Sequence, residues 1–185
     1  LPIYTYDGTA YAPAKTIFDA SNTTLNTKTA ALKLTEGTDY EIKYVDNVYG
    51  KAVGNDQKGI VLVIAKGTYA GDYTGNGVTS GIYTDAAGVK YENVIYAEQF
   101  NIGRKDVTRA NIAVSNGVYA GGLPVKPVVS VNVNGKDLVE GTDYKLDYTS
   151  ATNVTTTKSL SVEIVPINGY VAATNANLVF NWGID

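Results

Sequence analysis

The chain has 185 residues, 15 Lys and Arg against 18 Asp and Glu for a net charge of −3, and no Cys, Met or His. That excludes disulfides, thiolate or imidazole metal ligands and the usual nucleophile–base pairs. It also leaves no broad basic surface for nucleic acid or anionic lipid. The longest apolar run, Ile60 to Ala65, is far too short to cross a bilayer, so no membrane insertion is expected in this segment. The sequence opens at Leu1 without an initiator Met and reads as a processed chain or an excised fragment. Gly, Thr, Asn, Val and Tyr dominate, and runs of helix formers are missing, which predicts an all-β protein.

In chain order, Tyr6-Asp7-Gly8 and Pro13 lead into a first strand-like run, and Asn22-Thr-Thr24 forms an Asn-x-Thr triplet read as exposed loop. Leu34-Thr-Glu-Gly-Thr-Asp-Tyr40 predicts a turn in which Gly37 takes positive φ and Asp39 bonds local amides. Tyr40 to Tyr44 then alternates apolar with charged residues, as a half-buried antiparallel strand does. Ile60 to Ile64 is apolar on both faces and predicts a central strand covered on both sides. Residues 70–97 read as one or two Gly-punctuated hairpins. Phe100 to Gly103 closes this half, and Lys105 to Ile112 opens the next. Asn134-Gly135 between apolar runs predicts a type I′ hairpin. Leu138 to Tyr148, the alternating Leu160 to Ile164, and Phe180 to Gly183 follow; Asn153-Val-Thr155 is a second Asn-x-Thr loop.

These landmarks repeat. Leu34 to Tyr44 returns as Leu138 to Tyr148 at a displacement of 104 residues. Val61, Val63 and Tyr69 return as Val162, Ile164 and Tyr170 at 101, and Phe100-Asn-Ile-Gly103 as Phe180-Asn-Trp-Gly183 at 80. The first copy therefore carries an insertion of roughly 21 residues between Ala70 and Gln99, and its landmark Tyr6 answers Tyr119. Nothing in the first copy matches Lys105 to Ile112, so the first repeat lacks its opening strand or has it upstream. The expected domains are 1–103 and 104–185, joined near Gly103 to Asp106.

On these residues the chain resembles the tandem Ig-like repeats of the MBG-type group in Gram-positive and related bacterial surface proteins. That group runs from Tyr-x-Gly and a following Pro, through Leu-x-Glu-Gly-x-Asp-Tyr and an alternating strand, to Gly-x-Tyr and a final Phe-x-Ile strand. The resemblance implies two immunoglobulin-like β-sandwich domains, the first with a β-hairpin insertion, on the exterior of a bacterial cell. It departs in Asn153-Val-Thr-Thr-Thr157, where an Asn-x-Gly-Thr-Ala link is usual, and in the inserted segment. It implies little about activity, since such modules recur as spacers in proteins of different purpose. The function expected is a non-catalytic structural module of a surface layer, stalk or filament, with neighbouring repeats or further copies as partners.

No Gly-x-Ser-x-Gly elbow, phosphate-binding loop or zinc cluster occurs, and no enzyme activity or cofactor is expected. Of the 15 tyrosines, Tyr40, Tyr44, Tyr69, Tyr144, Tyr148 and Tyr170 recur in both copies, as packing residues would. Asp72, Tyr73, Tyr83, Asp85, Tyr91 and Tyr96 belong to the insertion alone and are the candidate contact residues. An adhesive or carbohydrate-binding surface for cell-wall or host glycan, or for matrix protein, is the alternative they support, because Tyr offers apolar area with a polar tip. The acid pairs Glu36 with Asp39 and Glu140 with Asp143 sit beside turn glycines without the further carboxylates of a calcium loop. An intramolecular isopeptide bond, as in some surface β-domains, could involve Lys43 or Glu163, but nothing in the spacing selects the Lys, amide or acid and buried carboxyl that it requires.

Overall fold

A computed structural model describes residues 3–19, 33–53, 56–155 and 157–185. It is nearly all β, with 49% strand and 2% helix. The chain divides into two compact units, Leu1–Gly103 and Arg104–Asp185.

The first unit holds β1 (Tyr4–Thr5), β2 (Tyr40–Val45), β3 (Lys51–Val53), β4 (Asp56–Ala65), β5 (Tyr83–Thr84), β6 (Lys90–Tyr91) and β7 (Val94–Gly103). Its main sheet runs β1-β7-β4-β2, with β3 also on β4, while β5 and β6 make a separate hairpin. The central strand β4 is apolar on both faces because both are covered. Ile60 and Leu62 pack with Val45, Val78, Tyr83, Val94 and Ala97, whereas Val63 packs with Leu34 and Tyr40 on the other side. Much of the cover on the first face, Val78 and Tyr83, comes from the inserted segment. Removing that segment would bare Ile60 and Leu62, which are 1% and 0% exposed.

The second unit holds β8 (Lys105–Val107), β9 (Ile112–Ser115), β10 (Val128–Val133), β11 (Lys136–Asp137), β12 (Tyr144–Tyr148), β13 (Leu160–Pro166), β14 (Tyr170–Ala172) and β15 (Val179–Trp182). Its pairings are β11-β10-β9, β12-β13-β15 and β14-β8. Here β13 buries Val162 and Ile164 and exposes Ser161, Glu163 and Val165. With no inserted segment over it, this strand keeps the alternation that β4 loses.

The two units share their ladder registers. Tyr40↔Ala65, Ile42↔Val63 and Tyr44↔Val61 in one answer Tyr144↔Pro166, Leu146↔Ile164 and Tyr148↔Val162 in the other. The shared turn is built from the same bonds. Gly37 (φ 88°) and Gly141 (φ 86°) donate to the Tyr40 and Tyr144 carbonyls, and Asp39 and Asp143 accept from the Thr35 and Val139 amides at 2.8 and 2.9 Å. Asn134 and Gly135, both at positive φ (52° and 84°), join Val133 to Lys136 as a type I′ turn.

The final strand corrects the sequence alignment. Gly59↔Phe100 answers Leu160↔Trp182, so Phe100 corresponds to Trp182 and not to Phe180, and Ile102 corresponds to Ile184. Burial gives the reason: Phe100, Ile102, Trp182 and Ile184 are all at most 2% exposed, whereas Phe180 is only half-buried. Matching Phe-Asn-x-Gly letter for letter slips the strand by two residues, which keeps the same face inward and so leaves alternation intact. The insertion is accordingly two residues shorter than the sequence implies. It also ends at Asn93, because a bulge between Val63 and Ile64 lets the ladder continue to Ile64↔Val94 and residues 94–97 belong to β7.

Candidate binding surface of the first unit

The inserted segment is fastened to the sheet rather than projecting from it. Tyr73 N–H donates to the Val94 carbonyl at 3.1 Å, Asn76 Nδ2 to the Ala97 carbonyl at 2.8 Å, and Gln99 Nε2 to the Asn76 carbonyl at 3.1 Å. Gly81 donates to the Tyr73 carbonyl and accepts from Val94, each within 2.9 Å.

The six candidate residues take different positions. Tyr83 is 4% exposed and forms part of the core; its hydroxyl donates to Asp46 Oδ2 at 2.8 Å, and the Ala86 amide donates to the other oxygen at 3.3 Å. Burial first, and the Asp46 carboxylate second, push the Tyr83 phenol well above its ordinary range. Asp85 clamps the β5–β6 turn, accepting from the Ala87 and Val89 amides at 2.9 and 2.8 Å and from the Tyr91 hydroxyl at 3.3 Å. Tyr91 is half-buried against the same cluster as Tyr83, and burial with Asp85 raises its pKa too. Tyr73 and Tyr96 meet with ring centroids 5.8 Å apart, and Tyr96 is 40% exposed. Asp72 is exposed on the same segment. The fold thus joins Tyr73 to Tyr96 and Tyr83 to Tyr91 and Asp85, with both Tyr73 and Tyr91 packed against the core cluster that holds Tyr83.

Tyr96 also lies on a groove that sequence reasoning missed. A cavity of about 530 Å³ is lined by Lys15 to Asp19, Leu34, Tyr69, Ile95, Tyr96 and Glu98. Lys15 Nζ pairs with Glu98 Oε2 on its wall, with side chains 15% and 29% exposed, and that ammonium holds the Glu98 carboxyl below its ordinary value of 4.5. The Tyr96 hydroxyl donates to the same oxygen at 3.3 Å, and the Tyr69 hydroxyl donates to Asp19 at the same distance. No single motif signals this groove, because its lining comes from four segments far apart in the sequence, residues 15–19, 34, 69 and 95–98.

The remaining singled-out residues have local roles. Tyr40, Tyr144 and Tyr170 are at most 4% exposed, while Tyr44, Tyr69 and Tyr148 are half-buried. Asp39 and Asp143 close their turns, Glu140 pairs with Lys126 at 3.3 Å, and Glu36 is exposed. Among the described residues no three acidic groups are placed to hold a metal ion. Lys43 is exposed and lies 3.5 Å from Glu41, and Glu163 is exposed opposite Asp147. Asn153 is exposed, and Asn22 to Thr24 lie outside the described residues. Among the described residues no helix is long and apolar enough to cross a membrane.

No family model, curated protein or solved structure matches this chain.

Proposed function

We propose that the chain is a non-catalytic structural module of a bacterial cell-surface protein, built as two tandem immunoglobulin-like β-sandwich repeats within a surface layer, stalk or filament. The observation that carries this reading is the recurrence of one turn and one set of ladder registers in both units. The residues those registers turn inward are spent on packing: Tyr40 with Tyr144, Val63 with Ile164, Phe100 with Trp182. A repeated unit that uses its inward face to hold itself shut serves length or spacing more readily than chemistry. Antibody raised against the chain should label intact cells, and immuno-electron microscopy should place the label in an ordered surface structure. Label confined to the cell interior would refute the proposal.

The adhesive alternative rests on the Tyr73–Tyr96 pair, in which half-buried Tyr73 of the insertion meets the 40%-exposed Tyr96 of β7. Deleting the insertion would bare the β4 core, so the informative variants are Tyr73→Ala and Tyr96→Ala. Undiminished attachment to glycan or matrix by the folded double variant excludes that surface.

A further inference from the structure

The sequence holds four Asn-Gly pairs, Asn76-Gly77, Asn116-Gly117, Asn134-Gly135 and Asn168-Gly169. Asn is a thermolabile residue, and a following Gly makes it more so, because with no Cβ in the way the Gly amide nitrogen can reach the Asn side-chain Cγ. In that reaction the nitrogen forms a bond to Cγ, the Cγ–Nδ2 bond breaks, and the proton shed by the Gly nitrogen leaves with Nδ2 as ammonia. Water then opens the cyclic imide at one carbonyl to give aspartate, or at the other to give isoaspartate, whose main chain runs through Cβ. By local sequence the four pairs are equally prone, and the fold separates them.

Asn116 is held at both reacting ends. Its Nδ2 donates to Asp185 Oδ1 at 2.6 Å, its Oδ1 accepts from the Gly183 amide at 2.9 Å, and the Gly117 N–H donates to the Gly183 carbonyl at 3.0 Å. Asn168 Nδ2 donates to the Thr142 carbonyl at 2.6 Å, and Asn76 Nδ2 to the Ala97 carbonyl at 2.8 Å and the Tyr73 hydroxyl at 3.3 Å. In all three the side chain that must turn to be attacked is fastened elsewhere. Asn134 differs. It is exposed in the two-residue turn between β10 and β11, and among the described residues no hydrogen bond fastens its side-chain amide. Its neighbour's nitrogen is withheld instead: Gly135 N–H donates to Asn132 Oδ1 at 3.0 Å, and Asn132 is steadied by donating Nδ2 to Asp137 Oδ1 at 2.7 Å. Asn132, Gly135 and Asp137 are all exposed, so the attacking nitrogen is restrained by a single solvated side-chain bond.

We infer that Asn134 is a modification site built into this turn, the Asn-Gly pair at which the folded chain converts first to aspartate or isoaspartate, with Asn132 as its guard. Either product adds a negative charge close to Asp137. Isoaspartate also lengthens the main chain of a turn whose φ values, 52° and 84°, fit it to join Val133 to Lys136. The change is felt beyond the turn, since Lys136 Nζ lies 5.9 Å from the ring centroid of the buried Tyr170 and the Asn132 carbonyl accepts from Asn111 Nδ2 at 2.9 Å.

The test ages the full chain in warm, mildly alkaline buffer and follows each Asn-Gly peptide by mass spectrometry, with isoaspartyl methyltransferase labelling to identify the isomer. Asn134 should convert first and the other three about tenfold more slowly or less, whereas in urea all four should convert at similar rates. Asn132→Ala, checked for folding by circular dichroism, frees the Gly135 amide and should speed conversion of Asn134 about three- to tenfold while leaving the other three unchanged. If that variant does not fold, Asp137→Ala, which releases only Asn132 Nδ2, serves in its place and should shift the rate in the same direction. A folded-state order led by Asn76, Asn116 or Asn168, equal rates at all four in the folded chain, or the same order in urea as in buffer would overturn the inference. So would an Asn134 rate indifferent to loss of its guard in a folded variant.

Discussion

Replacing Tyr83 by Phe tests whether the insertion is a layer of the core or a decoration on it. The change keeps the ring in its cluster with Val45, Ile60 and Leu62 and removes only the 2.8 Å hydrogen bond to Asp46. A buried bond to a charged acceptor contributes about 1.5–3 kcal/mol. Asp46 is only half-buried and keeps its bond from the Ala86 amide, so the lower end applies, about 1.5 kcal/mol. Tyr83→Ala adds the loss of a 4%-exposed ring and should cost about 3–5 kcal/mol. The sole tryptophan, Trp182, belongs to the second unit, so its fluorescence does not report this site directly. Amide exchange in β4 does: protection there should fall about tenfold for Tyr83→Phe and by a further two decades or so for Tyr83→Ala. If both variants left β4 exchange unchanged, the insertion would not be part of the core and the reasoning that separates Tyr83 from Tyr96 would be wrong.

Other outcomes follow from the same contacts. Asp143→Ala leaves the Val139 amide without its acceptor under a 3%-exposed site and should cost about 1–3 kcal/mol by urea unfolding followed at Trp182; an unchanged midpoint would contradict the turn assignment. Gly59→Ala puts a methyl 2.4 Å from the Phe100 ring, and should destabilise the first unit by about 1–3 kcal/mol in thermal melts. The raised phenols of Tyr40, Tyr83 and Tyr144 make stability that is complete below the ordinary Tyr value of 10.0 and is lost as pH rises through the folded values. Phenolate absorbance should therefore show a late step that coincides with unfolding; smooth titration of every tyrosine near pH 10 would refute it. The lowered carboxyl of Glu98 works the other way. Its contribution is present above the ordinary value of 4.5 and fades as pH falls through the folded value, so Glu98→Gln should flatten the acid side of the melting curve.

Much of the fold was legible in the sequence because the signals were local. Gly37 and Gly141 at positive φ, the Asp beside each, and the alternating strand after each are set by backbone sterics and period-two burial within about ten residues. The Asn134-Gly135 turn is determined in the same way. Even the two-sided burial of Ile60 to Ile64 was written in its unbroken apolar run, although the identity of the cover was not.

What required the tertiary structure depends on which distant segments meet. The alignment of Phe100 with Trp182 is decided by cross-strand register against Gly59 and Leu160, and a two-residue slip is invisible to a pattern whose period is two. That Tyr83 joins the core while Tyr96 of β7 stays 40% exposed is decided by how the insertion folds back onto β4 and β7; composition gives Tyr83 and Tyr96 the same description. The groove beside Tyr69 is further still from the sequence, since it is a place shaped by residues 15–19, 34, 69 and 95–98 together. Alternation and turn chemistry act between neighbours along the chain, whereas a groove is a relation among segments that only packing brings within a few ångströms of one another.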